Sequence, residues 1–361
     1  MKLGGKLKVA QLGVGYWGPN LLRNLVQNDR CEVALVVDVS AERRSYVETT
    51  HPGVAVCHDP NQVFERNDID AVVVATPAAT HFELGRKALL SGKHILVEKP
   101  MATSVAEVEE LGGLAAQKRL TAMVGHTFIY ENAVRFIKQS IEEGVLGQVR
   151  YMYSQRLNLG RIRSDVDALW NFAPHDVSIM QFLLGDPTPL SVSRNGMAYV
   201  QKGVEDVSFL SITYPNKVIA NIHVSWLDPQ RVRKLVIVGS DAMAVYDDTQ
   251  ANKIQIHDKG IDRFHVLGEG MAYDGSTGNM HFGNRAGKVH TPEIPQSEPL
   301  AQELDHFFDC IEGRSECLTG PLHAARVLRI LSWVAAKSPT QRLERSLTPV
   351  DAPALAQKSA S

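Results

Sequence analysis

Cysteine is scarce in this chain. The 361 residues hold Cys31, Cys57, Cys310 and Cys317, and no two of them form a C-x-x-C pair. That scatter argues against a disulfide framework and against a zinc site, so no metal is expected. An excess of one charge is also missing. With 38 Lys and Arg against 40 Asp and Glu the formal net charge is −2, which points to neither nucleic acid nor a membrane surface as a partner. No apolar run approaches the roughly 20 residues of a membrane span. The opening MKLGGKLKV has no apolar segment of the signal-peptide kind, and a cytoplasmic location is the expectation. The length suffices for two domains with sizeable cores.

What is present begins at Leu12 to Gly18 (LGVGYWG). An apolar run, Leu7 to Leu12, precedes it, and a helical stretch opening with Pro19 follows. Gly13, Gly15 and Gly18 have the G-x-G-x-x-G spacing of a dinucleotide-binding turn. The first glycine permits the tight turn, the second lets backbone approach a pyrophosphate, and the third lets helix and strand pack closely. Free N–H groups at a helix start favour the phosphate charge, and Pro19 suits a first helical position. The next apolar strand, Glu32 to Val37, ends at Asp38, 20 residues after Gly18. An acid there accepts hydrogen bonds from the adenosine ribose and repels a 2′-phosphate, which favours NAD over NADP. Arg43 and Arg44 lie near enough to soften that preference. The cofactor is therefore assigned to Gly13, Gly15, Tyr16, Trp17, Gly18 and Asp38. Thr76 and Pro77, at a later strand end, line its groove.

Residues 1–125 alternate short apolar strands with amphipathic helices, including a strand at Ala71 to Ala75, a helix at His81 to Leu90 and strands at His94 to Val97 and Ala122 to Gly125. That rhythm predicts a parallel sheet covered on both faces, a Rossmann domain. From about residue 130 the rhythm changes. After a helix at Glu131 to Glu143 come longer alternating strands, among them Val149 to Leu157, Asp206 to Tyr214 and Val218 to Leu227. In the last, Ala220, Ile222, Val224 and Trp226 take one face and Asn221, His223 and Ser225 the other, as in an antiparallel sheet with one buried face. The expected fold is α/β: an N-terminal Rossmann domain, then over 126–347 a C-terminal α+β domain with a large, mostly antiparallel sheet. Helices at Leu300 to Ile311 and Leu322 to Ala336 pack back on the rest. Gly268 to Gly287 reads as a long loop, and 348–361 as a disordered tail.

Two further markers carry chemistry. Glu98-Lys99-Pro100 ends the strand His94 to Val97. Ligands of an open parallel sheet bind beyond the carboxyl ends of its strands, so Glu98 and Lys99 face the cofactor crevice. An amine there steadies the alkoxide that precedes hydride loss. The other marker is Trp170-Asn171-Phe172-Ala173-Pro174-His175-Asp176, opening a helix that runs to about Leu184. Asn171 and His175 are four apart and share a helix face. An imidazole at that place can take the hydroxyl proton as hydride leaves. Asp176 reads as a charge near the helix start.

Together these markers resemble the glucose–fructose oxidoreductase/inositol dehydrogenase family, Gfo/Idh/MocA, over nearly the whole chain. The resemblance implies an NAD(P)-dependent oxidoreductase, with Lys99 and His175 matching the family's catalytic lysine and histidine, and a cis peptide at Lys99-Pro100. Many members carry Asp where this chain has Asn171. A carboxamide orients a hydroxyl but relays no proton, which leaves the proton to His175, or to His175 and Lys99 together.

The segments Gly15 to Leu21, Gly125 to Phe128, Arg156 to Gly160, Trp170 to Asp176 and Ser225 to Pro229 with Arg231 and Arg233 are similar to the family's nucleotide-sugar branch. That likeness implies a nucleotide-sugar substrate, of the UDP-N-acetylglucosaminuronate type, oxidised at C3 with NAD in surface-polysaccharide synthesis, and a homodimer or homotetramer. Arg156, Arg161 and Arg163 suit a pyrophosphate and a carboxylate. Arg231 and Arg233 suit the same anions or a subunit interface. Tyr130, Asn132 and Asn158 are further candidates for sugar hydroxyls, and His81 for a place near the nicotinamide. A reductase of 3-keto nucleotide sugars, an inositol or free-sugar dehydrogenase, and a non-catalytic NAD-binding module remain as alternatives.

Overall fold

A computed structural model describes residues 5–160, 162–164, 166–265 and 280–335. The first six strands, β1 (Leu7–Leu12), β2 (Cys31–Val37), β3 (Val56–Cys57), β4 (Ala71–Val74), β5 (His94–Glu98) and β6 (Ala122–Gly125), alternate with helices α1 (Gly18–Gln27), α2 (Ala41–Thr50), α3 (Asn61–Glu65), α4 (His81–Leu90) and α5 (Val105–Lys118). Their sheet is parallel, in the order 3-2-1-4-5-6. This doubly wound order places its crevice where the winding reverses, beyond β1 and β4. All of Ala71 to Val74 is buried, as strands covered on both faces require.

Helix α6 (Asn132–Glu142) leads into β7 (Val149–Leu159) and α7 (Ala168–Leu184). Seven further strands follow, β8 (Ser191–Met197), β9 (Val207–Thr213), β10 (Ile219–Ser225), β11 (Leu227–Gly239), β12 (Met243–Asp247), β13 (Ile254–His265) and β14 (Met280–His290). With β7 they form a second sheet, order 14-13-12-11-7-10-9-8, antiparallel except where β7 and β10 run side by side. Period-two patterning divides its faces. Ala220, Ile222, Val224 and Trp226 are buried beneath α7 with Met152, Leu210 and Ile237, as the alternation predicts. The opposite face leaves Tyr151, Tyr153, Phe209 and Ile219 exposed.

The last helices, α8 (Pro299–Ile311) and α9 (Pro321–Ala335), return to the first domain. Leu304, Phe307 and Phe308 join the core beneath β1 and α1, and Ala324, Ala325 and Leu328 join the core beneath β5 and α5. One expectation is corrected: 280–287 is strand, not loop, because β14 pairs along β13. Main-chain pairing overrides the low strand propensity of its glycines. The predicted tail over 348–361 lies outside the described residues.

Helix α7 is fastened at its start by charge. Asp167 accepts the Trp170 N–H at 2.8 Å as its N-cap. Arg194, on β8, donates to Asp167 at 2.8 Å and to Glu205, and all three side chains are largely buried. The C-terminal end closes on Gly185 in the left-handed conformation, with φ 76°. Replacing Arg194 by Leu leaves two buried carboxylates uncompensated, so Arg194→Leu is expected to lose about 3–5 kcal/mol in urea unfolding.

Candidate active site

The glycine turn between β1 and α1 is held from below. Buried Gln11 donates from Nε2 to the carbonyls of Gly13 and Gly18, both at 2.9 Å. Gly13 has φ +92°, and a Cβ there would lie 2.6 Å from the Ala75 carbonyl oxygen; a Cβ on Gly18 would lie 2.7 Å from the Gly13 oxygen. At Gly15, by contrast, a Cβ meets nothing within 4 Å, so the turn is open on the groove side. Helix α1 has no side-chain cap and no acid in its first turn. Its leading N–H groups therefore have the character of an anion site that the protein does not fill itself. Asp38 accepts the Val14 N–H (2.8 Å) on one carboxylate oxygen and the Ser40 N–H (2.9 Å) on the other. It thus braces the turn, and each oxygen keeps a lone pair for a ribose hydroxyl. Arg44 is tied to the carbonyls of Asp38 and Val39. These residues fit a dinucleotide.

Tyr16 is 93% exposed at the rim, whereas Trp17 hydrogen-bonds Glu98 beneath it. Glu98 is the last residue of β5. Burial pushes its carboxyl up to about 7, against the pull of Lys99 and of the Trp17 bond. Lys99 follows, joined to Pro100 by a cis peptide. Burial lowers the Lys99 ammonium from its ordinary value; Glu98 opposes that, and the charges of Arg163 and Arg156 add to it.

Across the crevice, α7 carries Asn171 and His175 one turn apart on one face. Pro174, lacking an N–H, leaves the Trp170 carbonyl without its helical partner. The His175 ring packs edge-on against Phe128, centroids 4.9 Å apart, and its Nδ1 is buried without a hydrogen-bond partner. Burial lowers its pKa well below the ordinary histidine value, and the charges of Lys99 and Arg156 lower it further. His175 is therefore a neutral base within electrostatic reach of Lys99. Arg156 covers the same Phe128 ring, 4.8 Å from its centroid, and makes a buried 2.7 Å ion pair with Asp176. Asp176 lies inside α7 rather than near its start, and its role is to pair with Arg156.

Several predicted contacts are not made. Tyr130 is fully buried, with its hydroxyl on Thr319 at 2.9 Å, so it packs the core instead of meeting a sugar. Asn132 spends its amide on Pro295, Ser297 and Gln302, fastening the segment before α8. His81 is buried with each ring nitrogen 2.8 Å from a carbonyl, of Thr76 and of Pro100. It pins the strand end at Thr76 and Pro77 to the Lys99-Pro100 segment and leaves no nitrogen for the nicotinamide. Thr76 also shares its hydroxyl with Thr80 at 2.7 Å. Asn158 remains suited to a hydroxyl. Period two puts it on the inner face with Arg156, and its Oδ1 is buried without a partner. Arg163 is exposed beyond β7, close enough to act on Lys99. Arg161 lies outside the described residues.

The structure places one predicted arginine, Arg233, and adds two residues that sequence reasoning missed, His126 and Glu303. Arg233 stands opposite Arg156 in the β11–β7 register, paired with Asp248 at 3.2 Å. His126 is buried with its Nδ1 unpartnered; burial and the neighbouring His323 and Lys99 hold its pKa well below the ordinary value. Glu303, from α8, accepts the Thr127 hydroxyl at 2.8 Å, and burial and nearby Glu98 raise its carboxyl well above the usual range. The segment Gly125 to Phe128 carried the only signal for His126, and nothing local marks Glu303.

Comparison with known proteins identifies the family and the fold. The family described as "Oxidoreductase family, NAD-binding Rossmann fold" matches residues 7–126, and the family's C-terminal domain matches 134–245. An uncharacterized oxidoreductase of Streptococcus pneumoniae is 28% identical over 58% of this chain and 60% of its own. UDP-N-acetylglucosamine 3-dehydrogenase of Acidithiobacillus ferrooxidans is 29% identical over 54% of this chain and 60% of its own. These matches thus span about 60% of the relatives' length. A solved structure of the Acidithiobacillus enzyme superposes with a TM-score of 0.78 at 22% identity, covering 93% of this chain and 99% of that one. The chain belongs to the Gfo/Idh/MocA family of NAD(P)-dependent oxidoreductases, with NAD the cofactor of its Rossmann domain.

Proposed function

We propose that this enzyme oxidises the C3 hydroxyl of a UDP-N-acetylglucosamine-type nucleotide sugar with NAD, in the cytoplasm, as a step of surface-polysaccharide synthesis. One feature carries the chemistry: His175, whose neutral form is favoured by burial, stands within electrostatic reach of the buried amine of Lys99 beyond the strand ends. NAD, when bound, accepts the hydride. A ring nitrogen of His175 takes the hydroxyl proton, and Lys99 Nζ donates to the oxygen as its charge develops. Asn171 and Asn158 orient neighbouring hydroxyls. Run in reverse, the same residues reduce a 3-keto sugar.

The cationic surroundings favour a nucleotide sugar over a free polyol. Lys99, Arg156, Arg163 and Arg233 gather around the crevice; Asp176 and Asp248 pair two of them, and guanidinium forks and an amine at one site suit a pyrophosphate. The case for a C6 carboxylate is weaker than the sequence implied, because Asp176 already balances Arg156. The related UDP-N-acetylglucosamine 3-dehydrogenase supports the uncharged sugar.

We also assign the exposed face of the second sheet to a second copy of this chain. Tyr151, Tyr153, Phe209 and Ile219 form an apolar patch there, and Phe209 stacks on His223 at 4.2 Å. A patch of this kind marks an interface; one self-complementary contact closes a homodimer, and a homotetramer needs a second.

Four measurements test these readings. With a panel of UDP- and dTDP-sugars and NAD, NADH absorbance is expected to rise with UDP-N-acetylhexosamines or their uronates; turnover confined to free polyols would overturn the substrate class. Lys99→Met and His175→Asn are each expected to lower kcat by about 10²–10⁴-fold while NAD still quenches tryptophan fluorescence. The pH profile follows from the direction of the His175 shift. A base whose pKa is depressed stays unprotonated to lower pH, so the acidic fall in kcat/KM is expected below the ordinary histidine value of about 6.5. For the interface, Phe209→Glu is expected to shift the particle towards monomer in light scattering.

A further inference from the structure

Away from the crevice, the end of α8 and the segment leading to α9 bring together His306, Cys310 and Cys317. The i, i+4 spacing sets His306 and Cys310 on one face of α8. After Ile311 the chain turns through Gly313, φ +74°, and returns Cys317 to the same face. The Cys310 Sγ is 3.4 Å from His306 Nε2, and the three ligand atoms all lie within 4.8 Å of one another. The returning segment is fixed to the Rossmann sheet. The Thr319 carbonyl accepts the Val124 N–H at 2.9 Å, the Thr319 hydroxyl meets Tyr130, and Cys317 Sγ lies 3.9 Å from the Ala122 carbonyl.

The imidazole is in the form a metal needs. Leu318 donates its N–H to His306 Nε2 at 3.1 Å, and an amide can only donate, so Nε2 carries no proton. Its lone pair is shared between the Leu318 N–H and the Cys310 thiol, 3.4 Å away, with the Cys317 sulfur in the same group. Tetrahedral zinc, with bonds of about 2.3 Å to sulfur and 2.0–2.1 Å to nitrogen, separates its ligand atoms by roughly 3.5–3.8 Å. The observed spacing needs only small adjustment to reach that. Two sulfurs and an imidazole, with no carboxylate, form a soft donor set.

We propose that His306, Cys310 and Cys317 bind one thiophilic divalent ion of the zinc class, with water as fourth ligand. The two thiols release their protons to solvent on binding, and Leu318 gives up its bond to Nε2. The ion takes no part in hydride transfer. It clamps the segment between α8 and α9 to the end of α8. The sequence expectation of no metal rested on the missing C-x-x-C pair, whereas this set is spaced H-x₃-C-x₆-C and is closed by the fold.

The test titrates Co²⁺ into the reduced, metal-free full-length protein. The expected result is one equivalent bound, with a thiolate-to-cobalt charge-transfer band and the visible absorption of a tetrahedral site, both abolished by Zn²⁺. Zn²⁺ is also expected to raise Tm. Cys310→Ser and Cys317→Ser are each expected to keep the native circular dichroism and dehydrogenase turnover while weakening Co²⁺ binding more than about 100-fold, beyond the loss of an outer-shell contact. Absence of the charge-transfer band in the reduced protein overturns the proposal. So does a band of undiminished intensity and affinity in both serine variants, or a Cys310–Cys317 disulfide that persists under reductant and occupies both sulfurs.

Discussion

Burial forces a choice on every charged group in the crevice, and the groups resolve it differently. A guanidinium cannot shed its proton inside a protein, so a buried arginine must find an anion. Arg156 takes Asp176 and Arg233 takes Asp248. An imidazole or an amine can lose its proton: burial with no carboxylate beside them favours the neutral form of His175 and His126, and burial lowers Lys99 against the opposing pull of Glu98. Fixed cations are thereby separated from labile ones. The arginines stay charged inside their ion pairs, and the histidines and lysine are the groups whose protonation burial shifts.

That division depends on the contact between the two domains. Phe128 follows the last strand of the Rossmann sheet, yet its ring lies between Arg156 of β7 and His175 of α7. Helix α7 is oriented at its start by Arg194 with Asp167 and Glu205, one turn ahead of Asn171. Helices α8 and α9 complete the joint from the other side, and α8 delivers Glu303 to Thr127. His175 and Lys99 thus belong to different domains and are positioned by packing that neither domain makes alone.

Local pattern was enough for the glycine turn, Asp38, the end of β5 and the helix bearing His175, since each is a strand end or helix face whose geometry a few neighbouring residues decide. The alternation in β10 likewise reported its buried face. What sequence left hidden depends on partners far along the chain. Tyr130 looks like a sugar contact until Thr319 takes its hydroxyl, Asn132 until Pro295 and Ser297 take its amide, and His81 until two carbonyls enclose its ring. A polar side chain near a site is a ligand only if the fold leaves it unsatisfied, and periodicity carries no information about that. Asn158 passes that criterion, with a buried oxygen that no protein group reaches.

Glu98 shows how the amine is kept from becoming a plain ion pair. An ionised carboxylate beside Lys99 would hold the ammonium charged and tie it down. Burial, however, pushes Glu98 up to about 7, and Glu303, buried nearby, adds to the cost of ionising both acids. Near neutral pH the Glu98 carboxyl is therefore divided between its two forms, and its grip on Lys99 weakens whenever it takes a proton. The Trp17 bond fixes that carboxyl from the glycine turn, so the residue that modulates the amine is positioned by the same loop that is open to the pyrophosphate. The glycine turn and Lys99 are in this way physically joined through one buried acid.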